Sequence, residues 1–378
     1  MNFDLHRIPY AEPFFPENSL DILAETFERG QISGTGSAIN QIEKRITSLL
    51  SSSHVFAVSN GSAAIRLAFQ GLGLTRETKV ILPGWGFHVA ANVAYSMGAQ
   101  LEFWDVSETS WCMELHSLEE LSNTKVHTIV VLVHSFGNCA DLNLYKKLRD
   151  NPNIQIIEDA AEAFMSRFEN KMLGTWFDVG TFSMHAAKTI TTGEGGFLSV
   201  NRDHLVSGIK LLRNHGMSPE RPYFHLLAGD NYRLSNLLAS IAIPQLEVID
   251  EIIAKRLFIY MTYMENLQGV KKLEFLKPTD PDGFFPWGVC VRFRGVDRTF
   301  IPGLRSFLST RGIDTRPGFT SATLLPYFDE MKSTTQELAC SDKLSMETVL
   351  LPHYYSLSKD DVERVCGAII EFLHSPSF

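Results

Sequence analysis

Apolar residues fall into two rhythms along this chain. At 80–82, 101–104, 129–133, 154–157 and 197–200 they form short runs such as Ile129-Val130-Val131-Leu132-Val133. Runs of that length predict strands, and runs without polar alternation predict strands buried on both faces. Between them lie amphipathic stretches, at 118–121 and 144–148, in the alternation expected of crossover units in a large α/β domain. A further apolar run, Val55-Phe56-Ala57-Val58, leads through the small residues Ser59-Asn60-Gly61-Ser62-Ala63 into an amphipathic helix that reaches Phe69. From 235 to 267 apolar positions recur at helical spacing, one long element that joins a large domain to a smaller one. Pro244 is expected to kink it or to separate two helices, because proline has no donor for the preceding turn. Beyond it, 288–293 reads as a strand and 304–308 as a helix. A last helix starts at Ser358, with Asp361 in a variant of the capping box and Val362, Val365, Ile369, Ile370 and Leu373 as its core face. The predicted division is a large domain over 1–245 and a small C-terminal α/β domain over 246–378.

Composition narrows the classes. A chain of 378 residues exceeds what one hydrophobic core usually serves, which agrees with two domains. A net charge of -9 argues against a protein that coats nucleic acid. Cys112, Cys139, Cys290, Cys340 and Cys366 are odd in number and form no C-x-x-C pair, the pattern of free thiols in a reducing cytosol. Residues 1–9 lack the basic start and apolar stretch of an export signal, and no apolar segment approaches the roughly 20 residues needed to cross a bilayer. The expectation is a cytoplasmic protein without a nucleic-acid or membrane partner. The histidines, His134 among them, show no H-E-x-x-H or other metal spacing, so no metal is expected.

Three segments carry candidate chemistry. Lys188 lies in Phe182-Ser183-Met184-His185-Ala186-Ala187-Lys188 and is followed closely by the glycine-rich turn Gly193-Glu194-Gly195-Gly196. Two readings are open: a solvated ammonium at a helix end, or an amine that desolvation keeps neutral. The second would be a nucleophile for a carbonyl cofactor, with pyridoxal 5'-phosphate the first to test. Ile154-Gln155-Ile156-Ile157-Glu158-Asp159 reads as a buried strand ending in acids, at the edge where open α/β sheets present ligand groups. There Asp159 is either a helix N-cap or the partner of a pyridinium nitrogen. The turn at Gly61, Ser62 and Ala63 opens a helix, and small residues there let a phosphate approach the unpaired N–H groups.

These blocks, together with Gly216-Met217-Ser218-Pro219-Glu220-Arg221, Asn231-Tyr232-Arg233-Leu234-Ser235-Asn236 and Asp314-Thr315-Arg316-Pro317, resemble the DegT/StrS family of pyridoxal-phosphate-dependent sugar aminotransferases. They run in family order over almost the whole chain. The resemblance implies the aspartate-aminotransferase-like fold of type I, with a large αβα domain and a smaller C-terminal α/β domain. It implies that Lys188 holds the cofactor and shuttles the proton, and that Asp159 pairs with the ring nitrogen. Phe87 would stack on the ring, Ser183 would join Gly61, Ser62 and Ala63 at the phosphate, and Asn231 would reach the phosphate of a neighbouring subunit in a homodimer with shared sites. Glu162 stands where many members carry glutamine; beside the cofactor's phenolate it would share a proton, and otherwise it is a helix-facing carboxylate.

Substrate contacts are placed in the loops 85–88 and 318–325, with His88, His185, Arg316 and Phe319 as candidates. His185 either approaches the lysine's pocket or packs without chemistry; Arg316 either binds an anion or forms a structural ion pair. Gly318-Phe319-Thr320-Ser321-Ala322-Thr323-Leu324 departs from the family, which has a histidine where Thr323 stands. The implied reaction is transfer of an amino group from L-glutamate to a keto sugar, nucleotide-linked and of 4-keto-6-deoxy type, for a surface glycan such as an O-antigen or for a secondary metabolite. Two alternatives remain beside it: a dehydratase of the same fold, whose branch has histidine for the lysine, and a non-catalytic sugar-binding or regulatory protein. A nicotinamide oxidoreductase is disfavoured by the lack of a G-x-G-x-x-G turn.

Overall fold

In the computed structural model, residues 6–52, 54–335 and 337–375 are described; residues 1–5, part of the stretch read for an export signal, lie outside them. In the strand Thr128–Val133, Ile129 and Val131 enter one apolar cluster while Val130 and Leu132 enter another on the opposite face. Successive side chains of a strand point to opposite faces, so a sheet covered on both sides calls for an unbroken apolar run. Lys79–Pro83 repeats the arrangement, with Val80 and Leu82 on one face and Ile81 on the other.

These strands belong to an eight-stranded sheet in the order His54–Val58, Gly196–Val200, Val179–Ser183, Ile154–Asp159, Thr128–Val133, Lys79–Pro83, Gln100–Trp104 and Lys332–Thr335. Gly196–Val200 runs antiparallel to both neighbours, and the remaining pairings are parallel. Helices Gly61–Gly71, Val89–Ser96, Leu118–Ser122 and Leu142–Lys146 separate the first strands along the chain, as parallel pairing demands. The result is an αβα layer structure.

A second, four-stranded antiparallel sheet has the order Leu273–Phe275, Val289–Phe293, Thr348–Leu351, Arg316–Pro317. Its apolar residues, Val289, Val291 and Phe293 among them, share a core with helices Ile249–Leu267, Phe300–Thr310 and Lys359–Leu373. The last helix starts as its sequence predicts. Ser358 Oγ accepts from the Asp361 N–H at 3.0 Å and donates to Asp361 Oδ2 at 2.6 Å. Val362, Val365 and Ile369 are fully buried, and Ile370 and Leu373 half-buried.

Three features differ from the sequence reading. The long helical stretch does divide, but at Val248 (φ -107°, ψ 24°) and not at Pro244, which sits inside the helix Asn236–Glu247. Gln245 Nε2 donates to the Ile241 carbonyl at 2.8 Å near the proline, and Asp250 and Glu251 favour a fresh helix start after Val248. Lys332–Thr335, with no apolar signal, pairs in parallel with the sheet-edge strand Gln100–Trp104. Ile8, from the opposite end, enters the C-terminal core: its N–H donates to Gly312 O at 2.8 Å and its carbonyl accepts from Asp314 at 2.9 Å. Two segments thus cross the division at 245.

Candidate active site

Parallel strands present their carboxyl ends on one edge of the large sheet. Asp159 ends one strand and Ser183 the next, the two paired in register at Asp159 and Thr181. The helix Gly61–Gly71 begins beside them, close enough that a Cβ on Gly61 would lie 3.2 Å from Ser183 Cβ. Together with the loop that carries Lys188 and with Trp287 and Phe319 from the C-terminal half, they enclose a cavity of about 630 Å³.

Lys188 Nζ lies 3.5 Å from Glu162 Oε1, and their side chains are only 14% and 9% exposed. Glu162 Oε2 accepts from the Phe136 N–H at 3.1 Å, and Asp159 Oδ1 from the Ala161 N–H at 3.1 Å. Burial is the first influence on all three groups. It draws the Lys188 amine below its ordinary pKa, against the pull of Glu162 and Asp159. It pushes Asp159 up, against the Ala161 N–H and the Lys188 charge, and it pushes Glu162 up, against Lys188 and the Phe136 N–H. An amine lowered and two acids raised lie closer together in proton affinity than the free side chains do, which favours proton exchange among them.

The residues present fit pyridoxal phosphate. Asp159 is buried and, among the described residues, its carboxylate has a single protein donor, which leaves acceptor capacity for a protonated ring nitrogen. At the helix N-terminus, the Asn60 side chain accepts from Ala63 N–H at 2.8 Å. That bond occupies the Ala63 N–H, and of the three residues expected at the phosphate Gly61 and Ser62 line the cavity while Ala63 does not. Ser183 Oγ lies at the same end of the cavity and accepts from His185 N–H at 3.2 Å.

Of the residues singled out in the sequence, Gly61, Ser62, Phe87, Asp159, Glu162, Ser183, His185, Lys188 and Phe319 line this one cavity. His185 is exposed at its mouth, 4.0 Å from Glu194. The others lie elsewhere. His88 lines an adjoining groove of about 370 Å³ and is bonded to the Thr320 carbonyl at 2.7 Å. Arg316 is exposed, its guanidinium 5.5 Å from the ring of Tyr10, and among the described residues it forms no ion pair. Asn231 does not line the cavity of its own chain; it pairs with Asn214, and its Oδ1 accepts from Arg233 Nε at 3.1 Å. Thr323 bonds to Asp342 and Ser321 and stays out of the cavity.

Trp287 is the cavity residue that sequence reasoning missed. Its ring stands 3.9 Å from Lys188 Nζ and its indole N–H donates to Ala187 O at 3.0 Å. The only local signal is its place in Phe284-Phe285-Pro286-Trp287, just before an apolar strand. Among the described residues no group of three or more His, Cys, Asp or Glu is placed to hold a metal ion, and no helix is long and apolar enough to cross a membrane.

Residues 16–370 match the model of the DegT/DnrJ/EryC1/StrS aminotransferase family. The chain is 30% identical over 367 residues to the GDP-perosamine synthase of Vibrio cholerae, covering 97% of this chain and 99% of that protein. Among solved structures, the aminotransferase TlmJ from Streptoalloteichus hindustanus superposes with a TM-score of 0.88 at 25% identity, over 98% of this chain and all of the other. The E. coli GDP-4-keto-6-deoxy-D-mannose-3-dehydratase with bound hydrated PLP superposes with a TM-score of 0.86 at 20% identity, over 96% of this chain and 100% of that one. That last likeness shows the shared fold alone.

Proposed function

The chain belongs to the DegT/DnrJ/EryC1/StrS aminotransferase family, and from that premise we propose that it transfers the amino group of L-glutamate to the carbonyl carbon of a nucleotide-linked 4-keto-6-deoxy sugar. It is a pyridoxal-phosphate-dependent enzyme that turns a keto sugar into an amino sugar. The observation that carries the reading is the buried Lys188 amine, 3.5 Å from Glu162, in the cavity that Asp159 also lines.

Pyridoxal phosphate, when bound, supplies an electron sink for the carbanion that forms at the reacting carbon. The chain supplies the rest. Asp159 would hold the proton of the ring nitrogen, and Glu162 would share one with the phenolic oxygen. The Gly61 and Ser62 N–H groups and the Ser183 hydroxyl hold the phosphate, in the positive field of a helix N-terminus. Phe87 covers the ring. Lys188 Nζ would move a proton from the α-carbon of the donor to the cofactor, and in the second half-reaction from the cofactor to the sugar carbon that receives the nitrogen, a task that suits an amine whose pKa burial has lowered. Asn231 serves the phosphate of a second copy, so the working unit is a homodimer located in the cytoplasm. The five free cysteines agree with that location.

The test is direct. With pyridoxal phosphate bound, L-glutamate should convert the cofactor to its amine form, and one member of a panel of nucleotide-linked keto sugars should restore it. Borohydride should fix the cofactor to Lys188, and Lys188→Ala should abolish turnover. No glutamate-dependent change in absorbance would defeat the proposal, and water loss from the sugar without amination would favour the dehydratase.

A further inference from the structure

Trp287 is gripped from both halves of the molecule. On one side its indole meets the loop of the catalytic lysine, through Ala187 O at 3.0 Å and the Lys188 amine at 3.9 Å from the ring. On the other, Arg256 Nη2 donates to the Trp287 carbonyl. Arg256 is itself fixed by His353, whose Nε2 is 3.0 Å from the Arg256 carbonyl and whose Nδ1 is 3.2 Å from Arg256 Nη2. A neutral imidazole with its proton on Nε2 donates to the Arg256 carbonyl and accepts from Arg256 Nη2 at Nδ1; Nδ1 also lies 3.1 Å from the Trp287 carbonyl, two acceptors between which the Arg256 Nη2 N–H groups are divided. Burial and the Arg256 charge push His353 down to about 3, so it is neutral at any working pH.

The guanidinium is an expensive group to place here. Arg256 is 5% exposed, its Nε has no partner, and among the described residues no carboxylate pairs with it. A buried cation without a counter-ion is destabilising and calls for a role. Its surroundings supply one: burial draws it down to about 10 against the influence of Tyr10, and its charge acts on Lys188. The groups that face Lys188 are then Glu162 and Asp159, which favour its protonation, and Arg256, which opposes it.

We propose that Trp287 is the positioning residue for the Lys188 amine, with Arg256 and His353 as the rigid support that holds its indole in place. This rests on Lys188 being the proton-transferring amine of the proposed reaction. The indole limits where Nζ goes once it is free, and the support ties that limit to the packing of the C-terminal half. Trp287→Phe keeps an apolar face and deletes the anchor to Ala187. Arg256→Met deletes the support and a positive charge together.

Two measurements test it. In the cofactor-free protein, acetylation of Lys188 followed by mass spectrometry against pH gives the protonation midpoint of the amine. In the loaded enzyme, kcat and KM for L-glutamate are measured separately. Trp287→Phe should lower kcat by about tenfold with KM within about threefold. Arg256→Met should also lower kcat and should raise the acetylation midpoint, because a cation is removed while both acids stay. Arg256→Lys should return the midpoint but not kcat, since one ammonium cannot reproduce the guanidinium's planar grip. Folded Trp287→Phe with unchanged kcat overturns the proposal, and so does folded Arg256→Met with an unchanged midpoint. Should Arg256→Met fail to fold, Trp287→Phe and Arg256→Lys decide alone. Borohydride labelling of Lys188 in the natural protein keeps the two levels apart: without it the parent reading falls as well, and with it only the role of Trp287 is at stake.

Discussion

At the scale of single residues, the site depends on burial and opposite charge acting together on Lys188. Glu162 is the nearest carboxylate and favours the protonated amine, so its removal has a definite sign. Glu162→Gln should lower the acetylation midpoint of Lys188 in the cofactor-free protein, since burial and Arg256 then act with less opposition. An unchanged or raised midpoint would show that the 3.5 Å contact does not couple the two groups. Lys188 and Asp159 were legible in the sequence because their chemistry is unusual beside apolar and small neighbours, whereas Glu162 came only with the family resemblance. Trp287 was not, because its role comes from a contact 99 positions away in sequence, at Lys188, and a buried tryptophan before a strand looks like core. Arg256 was hidden for the same reason: it sits mid-helix, and its partners Trp287 and His353 arrive from separate segments.

Elements bring these residues together, and two small ones fix how. Asn60 caps the helix that faces the phosphate end of the cavity, through Ala63 N–H. Asn60→Ala should cost about 1 kcal/mol in chemical denaturation and weaken pyridoxal phosphate binding, because the first turn frays where the anion sits. Equal stability and affinity would remove the cap from the argument. Gly180 lies in the strand Val179–Ser183, where an added Cβ would fall on the Gly174 carbonyl and crowd Ser199 Oγ. Gly180→Ala should therefore destabilise the fold by on the order of 3 kcal/mol, read as a shift in denaturation midpoint with unchanged m. That close approach is also why the strand is faint in the sequence: glycine and polar residues replace the apolar run that marked 129–133. The same holds for Lys332–Thr335, whose place is set by an open sheet edge and not by its own side-chain pattern.

For the whole molecule, the order of strands and helices announced an αβα body, and the site fell at the carboxyl edge where that architecture puts it. Asn231 does not line the cavity of its own chain, so its proposed role calls for a second copy. Exposed Leu20, Phe27 and Ile32, with Tyr223, Leu226 and Leu227 in the stretch before Asn231, give apolar surface for a second copy. Mixing Lys188→Ala with Asn231→Ala subunits should recover roughly a quarter of natural activity, since half the pairs are mixed and each rebuilds one of two sites. No recovery from pairs shown to be mixed would count against a site shared between subunits. One feature reaches beyond catalysis to how the molecule is made. Because the outermost partner of Gln100–Trp104 is Lys332–Thr335, a ribosome must translate more than two hundred further residues before that strand's free backbone groups are covered. Until then the nascent large domain carries a bare β-edge, which makes the growing polypeptide a natural client for a chaperone during synthesis.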